Sequence, residues 1–165
     1  MVFNAKFVWM KKTNALRILD RNKITYETIE YTYNPERLAV DKIARDNDLA
    51  LPLVYKTLVA KGDKTGIIVA VIPGQKELNF KALAKASGNK KIMLVQVKEL
   101  LELTGYIRGG CSPIGMKKAY PVFIDQDAAQ EEIIYVNAGQ RGLLFGAKPE
   151  DIRKVSRAIF AEIGS

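Results

Sequence analysis

A glycine-rich segment, residues 104–115, is the part of the sequence best suited to hold a reacting group. It contains the pair Gly109–Gly110, the stiff step Ser112–Pro113 and a further glycine at Gly115. Glycine lets the backbone approach a ligand closely, and free N–H groups in such a loop can point at an oxygen that carries negative charge. The segment is a candidate anion-binding loop. A glycine pair by itself is also typical of a structural turn, so both interpretations stay open at this point.

The sequence contains no histidine. Histidine is the commonest general base, so chemistry in this protein must rely on backbone donors, lysine, water or the substrate itself. The phosphate-binding loop of nucleotide triphosphatases is excluded, because Met116 follows Gly115 where that motif requires lysine.

Cys111 is the only cysteine. It excludes an intramolecular disulfide and a cysteine-built zinc site, and a reducing cytoplasm is the expected location. No histidine is present to activate its thiol, so we interpret Cys111 as a small packing residue rather than a nucleophile.

A strand is expected over residues 53–60, where alternation puts Lys56 on the same face as Val54, Leu58 and Ala60. A lysine in this position either extends along the rim of the sheet to solvent or projects into a pocket that holds an anion. A second loop, Asn137–Gly142, offers amide and guanidinium donors, but it also suits a hairpin turn.

The formal net charge is +8. A basic balance favours an anionic partner, with tRNA ahead of DNA or a membrane, although a solvated basic surface explains it equally well. The apolar stretches are too short for a signal peptide or a membrane span. We expect residues 1–10 to be an N-terminal extension, to which no function is assigned, and residues 11–165 to form one domain.

The remaining pattern predicts helices and strands in a non-alternating order. Helices are expected from Thr13 or Asn14 through Leu19, over residues 38–47, 79–87 and 97–104, and from Pro149 with Ile152, Val155, Ile159 and Ile163 on one face. Strands are expected at 53–60, 67–72, 121–125, 132–136 and 141–145, with an extended segment over 24–33. The predicted fold is α/β (α+β), a mixed, largely antiparallel, barrel-like sheet surrounded by helices.

Several motifs occur in a specific order and carry a family resemblance. They are Asn22-Lys23-Ile24 leading to Tyr31, Val54-Tyr55-Lys56-Thr57-Leu58, Thr104-Gly105-Tyr106 through Gly115-Met116-Lys117-Lys118, and Ile134-Tyr135-Val136 followed by Gly139-Gln140-Arg141-Gly142. From about Asn14 onward the sequence resembles the YbaK/EbsC-type aminoacyl-tRNA deacylases, which are related to the editing domain of bacterial prolyl-tRNA synthetase.

The resemblance implies the fold of that synthetase-associated domain and the removal of a wrong amino acid, typically cysteine, from tRNA(Pro), with Cys-tRNA(Cys) as an additional candidate substrate. Cysteine and proline are similar in size, and a binding pocket rejects a near-isostere poorly, so a second sieve is required. The cysteinyl thiol can attack its own activated ester, whether the ester is finally cleaved by cyclisation or by water. No cofactor and no metal are implied.

The resemblance also implies roles for residues of this sequence. Lys56 would hold the terminal adenosine or its phosphate and stabilise developing charge, while the amides of Gly109 and Gly110 would orient or polarise the carbonyl. The residues implied to contact the substrate are Tyr31, Thr57, Ser112, Asn137, Gly139 and Arg141.

Two positions depart from the family pattern. Asn137 stands where relatives often have serine, and Leu144 stands near the second loop where an acidic residue is usual. One alternative is therefore a deacylase for another small amino acid such as alanine. The net charge of +8 and the lack of a conventional catalytic base leave a second alternative, a noncatalytic module that binds tRNA or a synthetase. The expected partners are the 3′ end of tRNA(Pro) and prolyl-tRNA synthetase, with no DNA and no membrane; no oligomeric state is predicted.

Overall fold

The computed structural model describes residues 12–34, 43–45 and 47–165. The helices are α1 (Asn14–Arg21), α2 (Phe80–Ser87), α3 (Leu100–Thr104) and α4 (Pro149–Ser156). The strands are β1 (Glu27–Glu30), β2 (Tyr55–Gly62), β3 (Gly66–Pro73), β4 (Ile92–Leu94), β5 (Val122–Asp125), β6 (Ile134–Gln140), β7 (Leu143–Ala147) and β8 (Ile159–Ala161). Short 3₁₀ turns occupy Leu51–Leu53, Val97–Glu99 and Gln126–Gln130. None of the helices in these residues is long and apolar enough to cross a membrane.

The strands form two sheets. One has the order β1-β7-β6 and is antiparallel, and the other has the order β4-β2-β3-β5-β8. In the larger sheet β2 forms a hairpin with β3 and also pairs with β4, while β3–β5 and β5–β8 are parallel. A bridge between Val54 and Tyr135 joins the two sheets. This mixed, barrel-like arrangement with helices packed on it confirms the predicted fold class.

The main core lies between the two sheets. It combines Leu16 and Leu19 of α1, Val69 and Val71 of β3, and Phe145 of β7, all buried. A second core, with Ile68, Ile72 and Leu83, lies between the larger sheet and α2. Burial on both faces explains why β3 is an uninterrupted apolar run rather than an alternating one.

Several predicted helix ends are confirmed. The Thr13 hydroxyl accepts a hydrogen bond from the Leu16 N–H, and the Asn79 side chain accepts one from the Ala82 N–H, so both act as N-caps. Gly88 and Gly105 end their helices with φ of 78° and 84°, the left-handed conformation that glycine adopts most easily.

The prediction for the last helix was wrong beyond Ser156. Arg157 has φ of 55° and caps α4, and Ile159 begins β8, which runs parallel to β5. Ile159 and Ile163 fit the helical spacing with Ile152 and Val155, but Ile159 is 60% exposed on a strand and Ile163 is buried in the second core. The spacing alone does not distinguish one long helix from a helix followed by an edge strand.

Other boundaries also differ from the predictions. The strand expected from residue 53 begins at Tyr55, because Leu51–Leu53 form a 3₁₀ turn with Pro52 near its start. The helix expected over 97–104 is a 3₁₀ turn followed by α3, and β4 was not predicted. The later strands are shifted toward the carboxyl end, and β1 covers only part of the extended segment. The helix predicted over 38–47 falls largely outside the described residues, of which 43–45 are helical.

Candidate active site

The two glycine loops predicted from the sequence meet in the structure through Asn137. Its Nδ2 donates to the Gly109 carbonyl at 2.9 Å, and its Oδ1 accepts from the N–H groups of Gly139 and Gln140 at 2.6 and 3.1 Å. The register of β6 with β7 is interrupted between Asn137 and Gln140. Such a bulge turns side chains out of the regular alternation, and here it lets one amide hold both loops.

The glycine pair fits against the second loop at van der Waals distance. A Cβ on Gly110 would lie 3.0 Å from the Arg141 nitrogen and 3.2 Å from the Gln140 carbonyl carbon, so no larger residue fits without movement. The Gly110 N–H already donates to the Ile107 carbonyl at 2.9 Å within a turn. The Gly109 N–H donates to no backbone carbonyl of the described residues. Of the two predicted donors, Gly109 is therefore the one that can bind a substrate oxygen.

A stacked pair of side chains covers this junction. The Arg141 guanidinium lies 4.6 Å from the centroid of the Tyr33 ring, and its Nε donates to the Arg108 carbonyl at 2.9 Å. The Tyr33 ring also lies against Gly109. No carboxylate among the described residues forms an ion pair with Arg141, so its terminal N–H groups can bind an anion.

Tyr106 supports the two loops from the interior. Its hydroxyl donates to the Ile114 carbonyl at 2.6 Å, and its ring would collide with a Cβ on Gly139. Ser112 is fully buried, and its Oγ accepts from the Ile114 N–H at 3.3 Å. Ser112 therefore shapes the loop from within in this structure, and its predicted contact with substrate stays a prediction.

Lys56 lies on β2 opposite Ile72 of β3, a residue of the second core. Val54, immediately before β2, packs in one cluster with Tyr31 and Leu144. The Tyr31 hydroxyl interacts with the Asn137 side chain, and Leu144 is the cross-strand partner of Asn137. The predicted residues Tyr31, Asn137 and Gly109 are thus joined by contacts, and the role of Lys56 at this site stays a prediction.

Thr57 lies on the opposite face of β2 from Lys56. Its Oγ1 is buried and has no hydrogen-bond partner within the described residues. Leaving a buried hydroxyl unpaired costs about 1–3 kcal/mol. The hydroxyl supports a role in ligand binding, but a ligand would reach it from the side of Tyr55 and Val59 rather than from that of Lys56.

Burial shifts the pKa of two residues that the sequence analysis singled out. Burial lowers the pKa of Lys56, while the charge of Glu77 acts in the opposite direction. Burial raises the pKa of Cys111 to about 11, so its thiol stays protonated at neutral pH. The interpretation of Cys111 as a packing residue fits this environment, in which it contacts Val59 and Tyr106.

Sequence reasoning did not assign a role to Tyr33 or Arg108, which complete the junction. Tyr33 is two residues after Tyr31, a spacing that puts both on one face of an extended segment, and this was the available signal. A separate cavity of about 950 Å³ is lined by five carboxylates, at Glu27, Glu131, Glu132, Glu150 and Asp151, against two lysines. It contains none of the predicted site residues and its charge disfavours an anionic ligand. Within the described residues no three His, Cys, Asp or Glu side chains group as a metal site.

The two-sheet frame that holds these loops is shared with known proteins. The family model for the aminoacyl-tRNA editing domain matches residues 35–155, and the chain belongs to that family. A relative in Enterococcus faecalis, provisionally named a Cys-tRNA(Pro)/Cys-tRNA(Cys) deacylase, EbsC, is 45% identical over 96% of this chain and 97% of its own.

Two more distant comparisons agree with the family. A proline–tRNA ligase of Thermosipho africanus is 32% identical over 56% of this chain, which corresponds to 16% of that enzyme. A crystal structure described provisionally as a trans-editing enzyme for prolyl-tRNA synthetase has the same fold, with a TM-score of 0.79 and 20% identity over 94% of this chain and 99% of that one.

Proposed function

We propose that this protein is a trans-editing deacylase that removes mischarged cysteine from tRNA(Pro). The observation that carries the proposal is the junction held by Asn137, where the Gly109 N–H and the Arg141 guanidinium lie on two joined glycine loops in a sequence without histidine. An aminoacyl ester needs positioning and stabilisation of its carbonyl oxygen more than it needs a strong base. The 45% identity to the Enterococcus faecalis protein supports cysteine as the amino acid.

In the proposed reaction the substrate supplies the nucleophile. The cysteinyl sulfur bonds to the ester carbonyl carbon, the ester C–O bond breaks, and the ribose oxygen leaves with the thiol proton. The Gly109 N–H stabilises the negative charge that develops on the carbonyl oxygen, a type of contact worth about 3 kcal/mol. Lys56 and Arg141 hold the phosphate and adenosine of the tRNA 3′ end. Water then hydrolyses the released thioester.

The two positions that depart from the family pattern, Asn137 and Leu144, affect this mechanism in different ways. Asn137 retains hydrogen-bonding ability, since its Nδ2 donates to the Gly109 carbonyl and its Oδ1 accepts from the Gly139 N–H in the other loop. Leu144 is buried beside Tyr31 and leaves that wall of the site apolar. An apolar wall accommodates a thiol or a methyl group, so alanine is the second candidate amino acid.

Release of amino acid from Cys-tRNA(Pro), Ala-tRNA(Pro) and Pro-tRNA(Pro), by the wild type and by Lys56→Ala, tests the proposal. We expect rapid loss of cysteine alone and at least a 100-fold slower reaction for the variant. Preference for alanine would retain the ester cleavage and overturn the thiol-assisted step. If no amino acid is released from any substrate, the proposed deacylase activity is overturned and a noncatalytic tRNA-binding module is favoured.

We further propose that prolyl-tRNA synthetase delivers the substrate. The charge is spread along the sequence, and synthetases in the comparisons contain a related segment. Deacylation at physiological salt should be faster when the synthetase is present. Equal rates with and without it would contradict this part of the proposal.

A further inference from the structure

A groove of about 560 Å³ lies away from the candidate site, between the start of α2 and the edge formed by the end of β2 and by β4. Its charged lining is strongly basic. The lining residues are Lys61, Gly62, Asp63, Phe80, Lys81, Lys90, Lys91, Ile92 and Met93. None of them belongs to the two glycine loops or to the residues predicted to contact the aminoacyl ester.

The four lysines of this groove are exposed, and no carboxylate among the described residues forms an ion pair with any of them. The single acidic residue, Asp63, does not neutralise them through an ion pair. Its Oδ1 accepts the backbone N–H groups of Lys90 and Lys91 at 2.9 and 3.1 Å. The carboxylate thus holds the backbone that carries two of the lysines and leaves their ammonium groups free for another anion.

The wall that carries these lysines is fixed by polar contacts. The Asn89 side chain is 8% exposed, accepts the N–H groups of Lys64 and Thr65, and donates to the Thr65 and Ser87 hydroxyls. Gly62 lies directly against Asn89, since a Cβ there would be 2.3 Å from the amide. Because this frame is formed before any ligand arrives, less ordering is needed on binding.

Exposed apolar side chains stand among the lysines. Phe80 is 41% exposed and Met93 is 67% exposed, and Met93 is the cross-strand partner of Lys61. Cations that alternate with an accessible ring and a thioether suit a strand of nucleic acid, whose phosphates pair with lysine and whose bases stack on aromatic side chains. A second copy of this chain would bring lysines against lysines, so charge disfavours self-association here.

We propose that this groove binds an RNA strand, and, on the basis of the proposed function, that the RNA is the tRNA substrate at a point beyond its aminoacylated end. Lys56 and Lys61 are five residues apart on β2, which corresponds to roughly 17 Å. A tRNA bound at the candidate site is long enough to reach the groove. The groove would then supply affinity for the tRNA body, while the glycine loops act on the ester.

The binding test compares wild type with Lys81→Gln/Lys90→Gln/Lys91→Gln, using uncharged tRNA(Pro) and fluorescence anisotropy across a salt series. The matched control, Lys23→Gln/Lys148→Gln/Lys154→Gln, removes the same charge outside both the groove and the candidate site. We expect the groove variant to bind tRNA about 10-fold more weakly. The slope of its affinity against salt concentration should correspond to about two fewer phosphate contacts. The control variant should stay within about 2-fold of wild type. Equal behaviour of the two variants would overturn the proposal.

Phe80→Leu tests the stacking part, since it keeps an apolar side chain and removes the ring. It should weaken tRNA binding several-fold and leave the salt dependence unchanged, because stacking involves no counterion release. Unchanged tRNA binding by Phe80→Leu would show that the ring does not contribute to RNA binding. Loss of synthetase binding by the lysine variant, with tRNA binding intact, would overturn the RNA assignment in favour of a protein partner.

Cleavage assays separate the failure of this inference from the failure of the proposed function. The groove variant should react more slowly with full-length Cys-tRNA(Pro) and at the wild-type rate with 3′-cysteinyl-adenosine, which cannot reach the groove. If wild type cleaves neither substrate but the binding results hold, the deacylase proposal fails and the groove stands. If both substrates are cleaved at wild-type rates by the groove variant, the groove proposal fails and the deacylase stands.

Discussion

The Asn137 side chain ties the Gly109 carbonyl to the turn at Gly139, using its amide nitrogen for one loop and its amide oxygen for the other. Only a group with both a donor and an acceptor can make these contacts, and a carboxylate cannot donate to the Gly109 carbonyl. We expect Asn137→Asp to slow deacylation by about 10- to 100-fold through loss of this bond.

Single-turnover release of cysteine measures this effect, and thermal unfolding checks that the variant is folded. Asn137→Ser, the residue common in relatives, is the matched comparison because a hydroxyl both donates and accepts. It should retain a rate within about 10-fold of wild type. A wild-type rate for Asn137→Asp would show that the loops do not need this connection.

Gly109→Ala should destabilise the protein by about 2–3 kcal/mol, because the cost of a left-handed backbone adds to that of a steric contact. The residue has φ of 83°, and its added Cβ would lie 2.5 Å from Cε2 of Tyr33. Urea unfolding of the variant measures the total cost.

Gly66→Ala provides the matched control for the backbone cost. Gly66 has φ of 78° and nothing within 4 Å of an added Cβ, so about 1 kcal/mol is expected there. Adding Tyr33→Ala to the Gly109→Ala variant should restore only the stability that is lost through the steric contact with the ring. Equal destabilisation by the two glycine substitutions would contradict a steric contact with Tyr33.

Much of this site could be predicted from the sequence because its loops have strong local signals. Glycine at Gly105, Gly109 and Gly115 has positive φ in each case, as a chain-reversing loop requires. Tyr33 could not be assigned in the same way, since its role depends on Arg141, more than a hundred positions away in the sequence. The same limit explains β8, whose strand conformation depends on pairing with β5 rather than on its own spacing.

Cys111→Ala should leave deacylation unchanged within about 2-fold and cost about 1 kcal/mol of stability, since Cys111 fills space beside Val59 and Tyr106. Burial raises the pKa of the thiol to about 11 from an ordinary value of 9.0, so the folded state disfavours its ionisation. The stability due to this group is complete below pH 9 and is lost as the pH rises from 9 through 11.

Alkylation by iodoacetamide reports the same thiol directly. At pH 8 only about one thousandth of it should be ionised in the folded protein, so labelling should be slow until urea unfolds the chain. Rapid labelling at pH 8, or loss of cleavage in Cys111→Ala, would return the cysteine to the list of candidate nucleophiles.

Lys56→Met should abolish cleavage while raising the free energy of unfolding at pH 7 by a few tenths of a kcal/mol. Burial lowers the pKa of Lys56, so the folded state binds this proton less tightly than the unfolded state does. The stability gained by wild type is therefore present above the ordinary lysine pKa and lost as the pH falls through the lowered value.

Urea unfolding at pH 7 and at alkaline pH measures how the free energy of unfolding of each protein depends on pH. The advantage of Lys56→Met over wild type should shrink as the pH rises, because wild type then folds with the lysine neutral. Lys154→Met is the matched control, because it removes a lysine from an exposed position on α4. A Lys56→Met variant less stable than wild type at pH 7 would contradict the cost of burying this charge.

The pairing of distant segments determines when this protein can fold. β1 near the start pairs with β7 near the end, and β5 has β8 as its outer neighbour, so both sheets need residues beyond 140. Contacts between segments so far apart close large loops and slow folding, typically to milliseconds or longer. During synthesis the chain would leave the ribosome with the hairpin β2–β3 able to form and both sheets incomplete. Chaperone dependence and the yield of soluble protein should therefore be sensitive to substitutions in β7 and β8 that leave the editing chemistry untouched.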